Sequence, residues 1–248
     1  MKNFKLQVCV DSVESAIAAQ EAGAHQLYLC SNLMFGGTTP PTSLIELVKS
    51  YVSIPVFVLL RPRLGDFIYS EFEFEQLKRD IVICKHHFVD GLIVGALTKE
   101  GALNLSQLAR LSELAKPLPL LLNRCFDLCT DPFDALESAV ELNFSGILSS
   151  GLSASAQEGT TLLKSLNLAT QDRLQLFATG GITASSICSL IAETHIHAFT
   201  LSAKKLRLSP AIYHNPLVQL SMIPFDETRT YTSSYDELLR IATLLKTL

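Results

Sequence analysis

Three arginines follow short apolar runs of this sequence. Arg61 and Arg63 follow one run and Arg124 follows another, and each run is short enough to be a buried strand. A planar guanidinium binds carboxylate and phosphate groups through paired hydrogen bonds. Asp66 and Asp127 come soon after these arginines and would orient the guanidinium groups. We therefore expect a site for a small anion, with ion pairs that only brace the surface as the alternative.

A glycine-containing segment predicts a second part of this site. Gly180 and Gly181 follow another apolar run and precede a helical pattern, so their backbone N–H groups are expected to face an anion. Ser202 and Lys204 come directly after the next apolar run and would complete such a site. The alternative is a tight turn that needs small residues.

Cys9 and Cys30 are the candidate metal ligands, since each lies in or at the end of a predicted strand. If the two strands are neighbours, two thiolates would suit a soft ion such as Cu(I). A free cysteine is also among the commonest small buried residues, and the residues alone favour this structural role. Cys125 and Cys129 are spaced more widely than the cysteines of a thioredoxin-like motif, so this pair is a weak redox signal.

The six histidines do not accompany the arginines. Three begin predicted strands, two end a predicted helix and one lies in the tail (His25, His195, His197, His86, His87 and His214). The sequence therefore offers no nucleophile–histidine pair and no three-histidine metal site. This pattern argues against ordinary acid–base catalysis and assigns no catalytic residue.

The elements that must position these groups alternate between short β-rich runs and longer helical patterns. We predict strands near residues 5–10, 25–30, 55–61, 90–94, 118–123, 145–149, 173–178 and 196–201. Eight such repeats of about thirty residues favour a TIM-type (β/α)8 barrel of parallel strands over an open doubly wound sheet. No linker divides the sequence, so residues 1–248 are expected to form one domain.

Helical periodicity is predicted over 13–22, 43–52, 71–87, 105–114, 132–142, 154–166 and 184–193. A last helix over about 234–248 would close the ring, and no further strand is expected between Leu206 and this helix. Ligand sites of such barrels lie where the strands end, which would bring the arginines and the glycine turn to one mouth.

Composition narrows the class of protein. The chain has 248 residues, a net charge of -4 and 48% hydrophobic residues, which argues against general nucleic-acid binding. It contains no apolar run long enough to cross a membrane and no apolar signal-peptide core at its beginning. Six cysteines in so large a chain do not indicate a disulfide scaffold. We expect a cytoplasmic protein whose partner is a small molecule or ion.

Several segments, taken in order along the chain, resemble the CutC family. They are 8–16 (VCVDSVESA), 29–31 (LCS), 36–40 (GGTTP), 61–69 (RPRLGDFIY), 123–127 (NRCFD) and 147–151 (ILSSG). The last three are similar to the family's R-P-R-G-G-D-F-x-Y, H-R-A-F-D and I/V-L-T-S-G patterns. The resemblance implies a cytosolic TIM-type barrel associated with copper handling, usually a homo-oligomer, with no established reaction. Cys9 and Cys30 resemble the cysteines proposed to bind Cu(I) in some members.

The sequence departs from the family pattern at four positions that could carry charge or move protons. The family has glutamates where this chain has Gln7 and Tyr28, and histidines where it has Asn123 and Thr200. These replacements can form hydrogen bonds but are poor acids and bases near neutral pH. Leu64 also replaces a signature glycine, which stiffens that loop.

Three hypotheses follow from these residues. The first is a barrel that binds a small anionic ligand through Arg61, Arg63 and Arg124. The second is a Cu(I)-binding protein that uses Cys9 and Cys30. The third is an enzyme acting on a phosphorylated small molecule, with the Gly180–Gly181 turn as phosphate anchor and Asp11 or Asp127 as base.

Overall fold

Eight short apolar strands pair in chain order, and the first also pairs with the last, so the sheet closes into a barrel. The computed structural model describes residues 4–215, 217–218, 226 and 228–248. Every pairing in the barrel is parallel, which confirms the predicted TIM-type (β/α)8 barrel. The strands are β1 (Lys5–Val10), β2 (Gln26–Leu29), β3 (Val56–Leu59), β4 (Gly91–Val94), β5 (Leu120–Leu122), β6 (Gly146–Ser149), β7 (Gln175–Thr179) and β8 (Ala198–Leu201).

Helices follow the strands around the outside of this barrel. None of those in the described ranges has both the length and the apolar character to cross a bilayer. They are α1 (Val13–Glu21), α2 (Thr42–Tyr51), α3 (Glu71–His86), α4 (Leu105–Ala115), α5 (Pro132–Glu141), α6 (Thr160–Thr170), α7 (Ile187–Thr194) and α8 (Tyr235–Thr247).

Helix α6 begins later than the predicted residue 154, because the loop before it is tightly folded. Just before the predicted start, Gly151 and Leu152 have positive φ values of 71° and 54°, so the chain turns sharply there. Gly159 packs directly on this turn, since a Cβ atom at Gly159 would lie 1.9 Å from the carbonyl oxygen of Ser150. The segment 150–159 is therefore a long loop at the barrel mouth rather than a helical turn.

The expectation of no strand after Leu206 is wrong. Strand β9 (Lys204–Leu208) pairs in antiparallel fashion with β10 (Arg229–Ser233), outside the barrel. The two strands are largely exposed and rich in charged and hydroxyl side chains, so they lack the apolar signature by which buried strands are recognised. Because β9 begins just after β8 ends, this hairpin places Lys204 at the mouth.

Alternation along the strands divides the core into two layers. In β1, Leu6, Val8 and Val10 face the helices, whereas Cys9 faces the barrel interior. The interior is filled mainly by large apolar side chains, and Gly91 makes room for one of them. A Cβ atom there would lie 2.2 Å from the ring of Phe57. The interior apolar cluster consists of Cys9, Tyr28, Cys30, Phe57, Leu59, Ile93, Leu121, Leu148, Phe177 and Ala198.

Candidate ligand site at the barrel mouth

A cavity of about 870 Å³ opens where the barrel strands end. Ligand sites of barrels of this class lie at this end. Most of the predicted site residues meet here, whereas Arg63, Asp66 and Cys30, all in the described part of the chain, are not part of the wall. The predicted residues that line the cavity are Cys9, Tyr28, Arg61, Asn123, Arg124, Asp127, Gly180, Gly181, Thr200, Ser202 and Lys204.

Asp127 holds Arg124 at the cavity wall. The Arg124 Nε donates to the Asp127 carboxylate at 2.7 Å, and its Nη2 donates to the Ser150 hydroxyl at 2.7 Å. The carboxylate also accepts from the Ser149 hydroxyl at 2.6 Å and from the backbone N–H of Ser150 at 2.9 Å. Its side chain is 7% exposed, whereas that of Arg124 is 45% exposed and therefore open to a ligand.

These contacts weaken the hypothesis that Asp127 is a catalytic base. A base must present a free carboxylate oxygen to the proton it removes, and both Asp127 oxygens already accept hydrogen bonds from buried or cationic donors. Asp11, the other predicted base, directly follows β1 and is half-buried. It is not among the described residues that line the cavity.

Arg61 lines the cavity but joins two loops across its edge. Its side chain is buried, and its Nη1 donates to the Gly37 carbonyl at 3.1 Å. Its Nη2 donates to the Gly65 carbonyl, and its guanidinium stacks 4.5 Å from the centre of the Phe67 ring. The buried Nε has no hydrogen-bond partner in the described chain. Arg61 thus shapes the wall and has one donor left.

Arg63 and Asp66 lie outside the cavity, which corrects their predicted place in the anion site. Arg63 donates to Glu73 at 2.5 Å, to Asp66 at 2.9 Å and to the Ile68 carbonyl at 2.9 Å. Glu73 is the capping-box residue of α3, and its pKa is held below its usual value by the Ser70 N–H and then by Arg63. These contacts fasten the loop after β3 to the start of α3, where the sequence alone showed only an arginine near a strand end.

Asn123 presents a buried donor to the cavity. Its side-chain oxygen accepts from the Cys125 N–H at 2.9 Å, and the residue is 2% exposed. Its Nδ2 has no partner among the described residues. Gly95 allows this placement, since a Cβ atom at Gly95 would lie 2.2 Å from the Asn123 side-chain oxygen. A buried amide donor without a partner is costly, so an acceptor atom of a ligand would be favourable here.

Gln7 and Thr200 lie side by side in the barrel interior, and Thr200 lines the cavity. The two residues face each other across the β1–β8 pairing, and the Thr200 hydroxyl donates to the Gln7 side-chain oxygen at 2.8 Å. Both are fully buried, and the Gln7 Nε2 has no partner within the described ranges. A spare amide donor rather than a carboxylate therefore lies next to Thr200.

The glycine turn lines the cavity but does not open a helix. Gly180 and Gly181 have φ values of +94° and +69°, which favour glycine. Helix α7 begins only at Ile187, because the Thr183 N–H first bonds the Ser186 hydroxyl in a separate turn. The turn therefore does not form the N-terminus of α7 that the sequence predicted, although it still borders the cavity.

Lys204 lines the cavity and contacts a residue that is distant from it in the sequence. Its ammonium lies 3.3 Å from the Met34 sulfur, and the residue is half-buried. Burial lowers its pKa, and Asp11, Cys30 and Cys9 partly oppose this effect. Strand-end reasoning missed Glu237, which lines the cavity, because it comes from α8 rather than from a strand end.

Cys9 and Cys30 share the interior cluster on adjacent strands, but they differ in access. Cys9 lines the cavity, whereas Cys30 is fully buried and its thiol donates weakly to the Val10 carbonyl at 3.8 Å. Burial raises the pKa of Cys9 to about 12 and that of Cys30 well above its usual value. Both thiols are therefore protonated near neutral pH. Within the ranges the structure describes, no group of three or more histidine, cysteine or acidic side chains forms a metal cluster.

The fold and site define a TIM-type barrel with an open cavity, walled by cations and amide donors, at the carboxyl ends of its strands. The CutC family model matches residues 4–205. The copper homeostasis protein cutC homologs of Mus musculus and Homo sapiens are each 41% identical over 217 residues, which cover 88% of this chain and 80% of theirs. The family protein CutC of Histophilus somni is 34% identical over 97% of this chain and 99% of its own. The chain belongs to the CutC family.

Solved structures agree with this assignment. The crystal structure of a CutC copper homeostasis protein from Streptococcus agalactiae superposes with a TM-score of 0.77 at 26% identity. The superposition covers 80% of this chain and 98% of that protein. Phosphoribosylanthranilate isomerase from Thermotoga maritima superposes with a TM-score of 0.58 at 11% identity, which reflects the shared barrel alone.

Proposed function

We propose that the barrel mouth binds a small anionic ligand through Arg124, Asn123 and the Gly180–Gly181 turn. The observation that carries this proposal is the buried, unpartnered Asn123 Nδ2 directly beside an arginine that is fixed from behind by Asp127. A preorganised cation next to a spare amide donor suits a carboxylate or phosphate oxygen. The cavity volume of about 870 Å³ is in the range of small-molecule sites.

The charges around the cavity support an anion rather than a cation. Arg124 and Lys204 both line it, and the nearest acidic wall residues are engaged elsewhere. Asp127 accepts from Arg124 and the β6 end, and Glu237 accepts from the Ala184 N–H at 2.8 Å. A partly enclosed cavity with more cationic than acidic side chains in its wall attracts anions more strongly than an open surface does.

Calorimetric titration with inorganic phosphate, citrate and a sugar phosphate tests the proposal. For the anion that binds best, Arg124→Ala is expected to raise Kd about 10- to 100-fold, since a charged hydrogen bond contributes roughly 1.5–3 kcal/mol. Arg63→Ala is the matched control, because Arg63 also pairs with an aspartate three residues later but lies off the cavity. Absence of binding by all three anions, or equal weakening by both variants, contradicts the proposal.

Cu(I) binding by Cys9 and Cys30 is a second candidate function. Relatives named as copper homeostasis proteins and the shared interior cluster of the two sulfurs favour it. Two sulfurs fit a soft ion of low coordination number. Their raised pKa values mean that binding must release protons, so affinity would increase with pH.

A competition titration with a Cu(I) chelator under reducing conditions tests this second candidate. The double variant Cys9→Ser, Cys30→Ser is expected to lose the bound ion. Cys84→Ser is the control, because Cys84 is another buried thiol whose pKa is about 12 but which lies in α3, outside the interior cluster. Equal copper retention by the double variant and the unaltered protein would exclude this pair.

A further inference from the structure

Lys204 is a half-buried lysine in the cavity wall. It is the first residue of β9, immediately beyond the strand ends, and it lies half-buried against the Met34 thioether at 3.3 Å. In the described parts of the chain, its ammonium has no ion-pair partner, unlike Lys49 or Lys116 on the outer surface. The next residue, Lys205, also borders the cavity but is exposed.

The surroundings of Lys204 favour its neutral form more than those of an ordinary surface lysine. Burial lowers its pKa, and the nearby Asp11, Cys30 and Cys9 counteract only part of the effect. The two thiols are themselves protonated, so they provide no standing negative charge near neutral pH. A neutral lysine amine is a nucleophile toward carbonyl carbon.

We propose that Lys204 forms an imine with a small aldehyde or ketone that carries an anionic group. The substrate class rests on the proposed function, because Arg124 and Asn123 would hold the anionic end while Lys204 approaches the carbonyl carbon. All three residues line the same cavity. The site would then join a binding half, made by the β5 end, to a reactive half, made by β9.

The chemistry balances without an oxidant or reductant. The Lys204 lone pair forms a C–N bond as the carbonyl π electrons move to oxygen, and transfer of a proton from nitrogen to oxygen gives a carbinolamine. Protonation of its hydroxyl allows water to leave, and loss of the remaining N–H proton leaves a neutral C=N bond. The Ser202 hydroxyl lines the same wall and can relay the proton.

Reductive trapping in the unaltered protein tests the proposal. Glyceraldehyde 3-phosphate and glyceraldehyde, each with cyanoborohydride at neutral pH, provide an anionic probe and its neutral counterpart. Peptide mapping by mass spectrometry compares Lys204 with Lys205 in the same molecule, so no variant has to fold. We expect the phosphorylated aldehyde to label Lys204 about tenfold faster than Lys205, because bound substrate would lie next to an amine whose pKa is lowered by burial.

The outcomes separate the two proposals. Labelling of Lys204 no faster than that of Lys205 overturns imine formation, whether or not anions bind. Fast labelling of Lys204 by both aldehydes alike supports the reactive amine but contradicts the anion site. Lys204→Arg should abolish the fast adduct while retaining the positive charge, and Lys205→Arg should leave it unchanged. A fast adduct that persists in Lys204→Arg also overturns the proposal.

Discussion

Asp127→Ala is expected to destabilise the protein far more than Asp66→Ala, although each aspartate pairs with an arginine three residues before it. The Asp127 side chain is 7% exposed and that of Asp66 is 60% exposed. Removing the Asp127 carboxylate leaves the Ser149 hydroxyl and the backbone N–H of Ser150 without their acceptor. It also leaves Arg124 without its counter-charge.

The magnitude follows from the buried donors rather than from the ion pair. Each buried donor that loses its partner costs about 1–3 kcal/mol, so two of them give roughly 2–5 kcal/mol after partial solvation from the cavity. The Arg124 pair adds little, because its guanidinium is 45% exposed and screened by solvent. For Asp66, the exposed and solvent-screened pair with Arg63 predicts only a small loss of stability.

Urea unfolding followed by circular dichroism measures both free energies of unfolding. Asp127→Asn is an informative companion, because the amide keeps the shape but turns one acceptor into a donor that faces other donors. We expect it to be destabilised nearly as much as Asp127→Ala. If the Asp127 and Asp66 alanine variants differed by less than about 1 kcal/mol, the account of Asp127 as the acceptor that organises the mouth would be refuted.

Three further predictions concern the packing and thiols of the barrel. Gly95→Ala should lower stability by about 1–3 kcal/mol and weaken anion binding, because its Cβ would lie 2.2 Å from the Asn123 side chain; thermal unfolding and titration check this. Iodoacetamide at neutral pH should modify the exposed Cys188 and spare the buried Cys9, as mass spectrometry would show; equal rates would contradict this burial. Stability should fall as pH rises above 9.0 toward about 12, because the Cys9 thiol then loses its proton in the unfolded chain but keeps it in the fold. Cys9→Ala should show a smaller alkaline loss in unfolding experiments at several pH values.

The barrel could be predicted because its signal is repeated. Short buried strands and longer helical patterns recur along the chain, and each βα unit has only one favourable way to pack on the next. The β9–β10 hairpin lies outside this repeat and is stabilised by backbone pairing of exposed residues, so hydrophobic periodicity contains no trace of it. Element starts at capped helices such as α3 were predictable, because Ser70 and Glu73 form a local capping box.

For the site, the sequence predicted which strand ends lie together at the mouth but not which of their side chains face the cavity. Arg63 and Arg124 occupy similar sequence positions, but one bonds Glu73 of a neighbouring helix and the other faces the cavity. The positions of these two side chains depend on the paths of their loops and on their tertiary contacts, which residue type and spacing do not determine. The same applies to Asn123, whose spare donor appears only once its oxygen is seen to accept from Cys125.

The contact between Gln7 and Thr200 joins two positions at which the resemblance implies ionisable residues in the family. The resemblance places a glutamate at position 7 and a histidine at position 200, and these positions face each other across the β1–β8 pairing. Both sites are fully buried, so a carboxylate left there without a cationic partner would be strongly disfavoured. A carboxylate at position 7 would therefore need a cationic partner at position 200, whereas the neutral pair joined by the Thr200 hydroxyl needs no counter-charge. In this chain the two positions thus carry a hydrogen-bonded pair with one spare amide donor, the Gln7 Nε2, and no group that readily transfers a proton near neutral pH.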